Sequence, residues 1–191
     1  MRKAPAAPRP RDGMRFGGIA IRNVRNMVRA GMFAALMAVC AWIAVPVPPV
    51  YVTLQTLGVF LALLVLGGKW GTVSTVLYLL LGAVGLPVFS GFRGGIGMLL
   101  GVTGGFLWGF AAAALVYWAL ERLGKGVAMA AGMAVCYLCG CGWFLVYTPA
   151  AGISGAIISC VLPYLLPDAL KLTLAWVLGK RLSKHLKTAN A

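Results

Sequence analysis

The stretch "LQTLGVFLALLVLGGKWGTVSTVLYLLLGAVGLP" (Leu54–Pro87) decides the fold. It holds two apolar runs, about Leu54–Leu66 and Thr72–Leu86, separated by "GGKWG" (Gly67–Gly71). Its one charged residue, Lys69, lies in that break. Neither run alternates apolar with polar residues, as a strand of a membrane barrel would, so both read as helices. The rest of the chain has the same character. A soluble domain carries roughly 25% charged residues. Here 10% are charged and 61% hydrophobic over 191 residues, too little polar surface to face water on all sides. The chain reads as all-α, a polytopic integral membrane protein.

Four further runs complete the set. They are about Val28–Val45, stopped by "PVPP" (Pro46–Pro49); Gly101–Leu120, stopped by "ERLGKG" (Glu121–Gly126); Val127–Tyr147; and Gly155–Gly179, interrupted by Pro163 and Pro167. Six transmembrane helices follow. Several runs are shorter than the ~20 residues that cross a typical bilayer core, so their ends extend into loops or the bilayer thins around them.

The net charge of +14 invites a nucleic-acid reading, but its distribution argues otherwise. Eight of the seventeen basic residues lie between Arg2 and Arg29, and Lys180, Arg181, Lys184 and Lys187 close the chain. These charges flank apolar runs and form no patch interleaved with aromatics. They read as topology signals and contacts to anionic membrane lipid, with no nucleic-acid partner. With the N-terminus cytoplasmic, fifteen basic residues fall inside and only Arg93 outside. The positive-inside rule therefore places both termini in the cytoplasm. Residues 1–25 read as a basic, disordered cytoplasmic tail, 26–182 as the six-helix membrane domain and 183–191 as a second basic tail.

Only three residues are acidic: Asp12, Glu121 and Asp168. Asp168 stands in "LPYLLPDALKLTLAWVLGKR" (Leu162–Arg181), three residues before Lys171, so both project from one helix face. Counting back from Lys180 at 1.5 Å per residue puts Lys171 roughly 13 Å and Asp168 roughly 18 Å above the inner end. An intramembrane charge costs ~2.5–3.5 kcal/mol on insertion scales and marks a functional site by default. An ion pair that only fastens helices is the plainer alternative. With Arg93 in "GLPVFSGFRGGIG" (Gly85–Gly97), the group sums to +1. A ligand with one carboxylate and some N–H or O–H donors would neutralise it and meet Asp168, which when ionised only accepts. Trp143, Phe144, Tyr147 and Tyr164 lie at matching depth as walls for an apolar ligand body, or as ordinary belt and core residues.

Other features carry less. Cys136, Cys139 and Cys141 lack the fourth ligand of a zinc site, the only histidine being His185 in the tail, and read as packing residues. No stretch matches G-x-x-x-x-G-K-[ST], so the chain has no ATP site of its own. Ala30, Ala34 and Ala38 stand at four-residue spacing, with Gly31 and Ala35 beside them. Such a face serves close packing inside the bundle or the docking of a partner membrane protein.

Several segments, in order, resemble the BioY family, the biotin-binding S components of energy-coupling factor (ECF) transporters. They are "PVPPVYVTLQTLGVFLALLVLGG" (Pro46–Gly68), with its T-x-Q-T-L at Thr53–Leu57; "LLLGAVGLPVF" (Leu79–Phe89); "GVTGGFLWGF" (Gly101–Phe110); and "LPDALK" (Leu166–Lys171). The resemblance covers about 32–182. It implies a six-helix subunit of the bacterial plasma membrane that captures biotin from outside and delivers it inward. It implies a transmembrane T component and two cytoplasmic ATPases as partners, no cofactor and no catalysis. It also implies that Ala30, Ala34 and Ala38 contact the T component. Asp168 would meet a ureido N–H, and Lys171 or Arg93 the carboxylate or ureido oxygen. Thr53, Gln55 and Tyr147 would complete the pocket. The competing expectations are an S component for thiamin or riboflavin, a membrane scaffold or channel subunit without ligand, and an intramembrane enzyme. The last lacks a second carboxylate, a histidine pair and a recognisable nucleophile.

Overall fold

The computed structural model describes residues 12–47 and 50–188. In order these form α1 (Asp12–Trp42), β1 (Ala44–Val47), β2 (Val50–Thr53), α2 (Gln55–Ala83), α3 (Ile96–Leu100), α4 (Gly104–Leu120), α5 (Lys125–Tyr147), a 3-10 turn (Pro149–Ala151), α6 (Gly152–Cys160) and α7 (Leu162–Thr188). α1 begins inside the segment read as a tail, and α7 runs through most of the other. Residues 1–11 and 189–191 of those tails lie outside the described residues.

The two runs of the opening stretch are two arms of α2, broken at one residue. Gly67 has φ 80° and ψ 168°, backbone that a side chain strains. The arms fold back on each other there: a Cβ on Gly71 would lie 2.7 Å from the Leu63 Cα. The turn is held by the α4–α5 connection. Glu121 Oε2 accepts the Gly68 N–H at 2.7 Å, and Lys125 Nζ donates to the Leu64 carbonyl at 3.4 Å. The anion thus meets the N-terminal start of the second arm and the cation the C-terminal end of the first, each at the dipole end that favours it.

Around the arms the helices pack through small residues and hydroxyls. Gly58 faces Met37, and Ser74 Oγ donates to the Ala30 carbonyl at 2.8 Å, seating α1 on both arms. Thr72 Oγ1 donates to the Ala114 carbonyl at 3.1 Å, seating α4. Gly179 of α7 lies against Leu64. The Gly67 turn, Glu121, Lys125 and Gly179 therefore share one end of the bundle. The hairpin, the connection from Val84 to Thr103 and the α5–α6 turn share the other.

Two local features differ from the helical reading. The Pro-rich stop is an antiparallel hairpin pairing Ala44 with Thr53, Val45 with Val52, Pro46 with Tyr51 and Val47 with Val50. The β-branched valines suit it, and a two-stranded ribbon tolerates the lost Pro46 donor. The last apolar run begins at Gly152 and bends at Val161, just ahead of Pro163. Pro167 remains inside α7, where its ring removes one early bond without stopping the helix.

Four helical stretches are long and apolar enough to cross a membrane: Asn23–Trp42, Gln55–Ala83, Lys125–Tyr147 and Pro149–Lys184. Gly104–Leu120 is apolar but shorter. The count falls below six partly because both arms of α2 belong to one helix. Exposed Val24, Val28, Met32, Leu138, Val146 and Leu170 present apolar surface outward. The protein is an all-α, multi-pass membrane protein.

Candidate binding site

A cavity of about 680 Å³, mouth included, opens at the end of the bundle away from the Gly67 turn. Thr53, Gln55 and Thr56 form one side where β2 runs into α2, and Phe89 and Ser90 come from the following connection. Met98, Thr103 and Phe106 supply the α3–α4 side, and Met133, Cys136 and Tyr137 the α5 side. Tyr164, Asp168 and Lys171 face in from α7.

Asp168 and Lys171 are 6% and 7% exposed. Lys171 Nζ donates to Asp168 Oδ1 at 2.8 Å, and the Tyr137 hydroxyl donates to Oδ2 at 2.7 Å. A buried ion pair survives only when each charge is compensated, and removal of one member strands the other. Gln55 is 4% exposed, and its Nε2 has no hydrogen-bond partner among the described residues. A buried donor in that condition costs about 1–3 kcal/mol unless a ligand or water accepts from it. Thr53 Oγ1 accepts the Gln55 N–H at 3.3 Å, which ties the hairpin to the helix start.

The cavity's loop wall is pinned from several sides. The Phe89 ring is buried over Gly82 and meets Tyr78 edge-on, with centroids 5.6 Å apart. The Tyr78 hydroxyl donates to the Val88 carbonyl at 2.9 Å. Trp42 Nε1 donates to the Pro87 carbonyl at 2.8 Å, and its ring stacks on Phe92 at 5.0 Å.

The structure thus brings together five of the residues singled out from sequence: Thr53, Gln55, Tyr164, Asp168 and Lys171. It puts the others elsewhere. Arg93 is exposed and outside the lining, because Phe89 N–H bonds to the Arg93 carbonyl at 2.9 Å and the tight turn carries its side chain back along Gly91. Trp143 and Tyr147 also lie outside the lining. Trp143 Nε1 donates to the Gly101 carbonyl at 3.0 Å and the Tyr147 hydroxyl to the Leu100 carbonyl, so both fasten the α3–α4 junction. Ala30, Ala34 and Ala38 face the bundle interior at 1%, 1% and 6% exposure. The face that α1 turns outward carries Val28, Met32, Ala35 and Val39 instead. Tyr137 was missed. It sits in the Cys-rich stretch of α5, and nothing in its neighbours' chemistry separates it from a core aromatic.

Comparison with known proteins gives a consistent result. The model of the BioY family matches residues 11–188. "Biotin transporter BioY" of Thermotoga maritima is 40% identical over 169 residues, covering 84% of this chain and 97% of that protein. "Probable biotin transporter BioY" of Pyrococcus horikoshii is 41% identical over 164 residues, covering 84% and 97%. The crystal structure of the S-component for biotin from an ECF-type ABC transporter superposes with a TM-score of 0.78. It is 25% identical and covers 85% of this chain and 93% of that one.

Proposed function

The chain belongs to the BioY family, and from that premise we propose that it is the biotin-binding subunit of a vitamin importer. The family supplies a transport subunit, not an enzyme. The observation that carries the reading is the cluster of Asp168, Lys171 and unpartnered Gln55 Nε2 in one cavity. Biotin offers a carboxylate, two ureido N–H donors, a ureido carbonyl and an apolar thioether ring. Asp168 has free lone pairs for a ureido N–H, and Gln55 Nε2 has a hydrogen to donate to the ureido carbonyl. Phe89, Met98 and Phe106 suit the ring. Lys171 meets the carboxylate.

The test is mass spectrometry of small molecules co-purifying with the detergent-solubilised protein, followed by titration with biotin, thiamin and riboflavin. Biotin alone is expected to bind. Preferential binding of another vitamin would reassign the substrate, and binding of none would favour a scaffold.

The energising partners in this reading are a transmembrane T component and two cytoplasmic ATPases. The small residues Gly31 and Ala35 on the outward face of α1 suit a helix contact better than the inward alanines do. The membrane is the bacterial plasma membrane, crossed six times with both termini cytoplasmic. In a cysteine-free background, a cysteine at position 93 is expected to react with an impermeant thiol reagent from outside, and one at position 69 only after the membrane is opened. The reverse pattern would invert the topology.

A further inference from the structure

α5 and α7 are not closely packed on each other; the cavity lies between them, and the bond from the Tyr137 hydroxyl to Asp168 Oδ2 links them across it. Lys171 reaches the other carboxylate oxygen, Oδ1, from the same helix as Asp168. A carboxylate has about four lone-pair sites, so each oxygen keeps one for a further donor. Two fixed donors, one on each oxygen, leave the carboxylate little freedom to turn about its terminal torsion, which is otherwise broad. Lys171 alone, three residues away on one helix, fixes one oxygen and not the plane of the group. The Tyr137 bond is what fixes that plane relative to α5.

We infer that Tyr137 is a positioning residue: it sets the Asp168 carboxylate in the orientation that receives a ligand N–H, and so contributes to selectivity without itself being the anchor. This rests on the proposed biotin site. Its consequence is that Tyr137 and Asp168 act as one unit, so that removal of either hydrogen-bonding partner makes the other matter less.

The experiment is a double-mutant cycle on the full-length protein in detergent, with biotin affinity and the thermal midpoint without ligand read for each variant. Tyr137→Phe removes one oxygen and leaves the ring. It is expected to weaken biotin binding about tenfold, since hydrogen bonds to charged groups are the strong ones. In the Asp168→Asn background the same change is expected to weaken binding less than about twofold, because there is no carboxylate left to orient. The thermal midpoint separates this from packing, because a merely structural role lowers stability and affinity alike in both backgrounds. An equal loss in the two backgrounds, or no loss with Asp168 intact, overturns the positioning role and leaves the site reading standing. Wild-type affinity in Asp168→Asn alone overturns the site reading itself, and the positioning role with it. Should Tyr137→Phe not fold, Tyr137→Leu, which is smaller and also removes the hydroxyl, is carried through the same cycle with Asp168→Asn. An equal loss of affinity in the two Asp168 backgrounds would equally overturn the positioning role.

Discussion

Asp168→Asn is expected to lower biotin affinity tenfold to a hundredfold. The substitution keeps size and shape but converts one acceptor oxygen into a donor. Two donors already point at the group, from Lys171 and Tyr137, and a ureido N–H would be the third. With the amide oxygen toward Lys171, the NH2 faces the Tyr137 hydroxyl, which can turn to accept, but the ureido N–H loses a charged acceptor and the Lys171 ammonium is left buried without its counter-charge. Hydrogen bonds to charged groups are worth ~1.5–3 kcal/mol, which sets the range. Lys171→Met makes a sharper comparison: it should weaken biotin more than a biotin whose carboxylate is amidated, if the ammonium meets the carboxylate. Isothermal titration of both variants with both ligands measures this. Native affinity for biotin in the two folded variants would remove these residues from the site.

Gly82→Ala is expected to be costly in a different way. A Cβ there would lie 2.0 Å from the Phe89 Cζ, inside any permitted contact. Phe89 is 1% exposed and held edge-on by Tyr78, so the ring has no free space in which to retreat except the cavity it lines. Overpacking of this kind costs typically 1–3 kcal/mol. A fall in thermal stability should therefore accompany a fall in affinity, as the displaced ring fills part of the ligand's volume. An unchanged melting curve with unchanged binding would mean that the loop carrying Phe89 yields freely.

The main features of the bundle were legible because they rest on composition and on residues that break helices. Lys69 between glycines marks the end of an apolar run whatever its neighbours do, and Asp168 with Lys171 stands out because charge in such a helix is expensive. The remaining features depend on neighbours that no local pattern names. α1 carries small residues on adjoining faces, Ala30, Ala34 and Ala38 beside Gly31 and Ala35. Spacing alone does not say which face turns inward; the Ser74 hydroxyl on the Ala30 carbonyl does. Arg93 was grouped with the buried charges by its loop, but the turn closing Phe89 on Arg93 aims it away. The hairpin was hidden by its prolines, which read as a stop, whereas the alternating valines around them supply the pairing. Tyr137 became visible only when α7 was set opposite it.

The first arm of α2 has a consequence for how the protein is made. Every residue from Gln55 to Leu64 is buried, so this arm is enclosed by protein on all sides. Residues 55–66 reach roughly 18 Å at 1.5 Å per residue, well short of a bilayer core of ~30 Å. A segment that short does not hold itself across a membrane when it leaves the insertion machinery. Its place depends on the second arm and on the neighbouring helices packed around it. The enclosure waits for α7, whose Gly179 seals against Leu64. Asp168 and Lys171 arrive with that same helix. A nascent chain that ends before Leu162 therefore carries the Thr53, Gln55 and Phe89 side of the cavity but not its charged pair, which is the last part of the site to be synthesised.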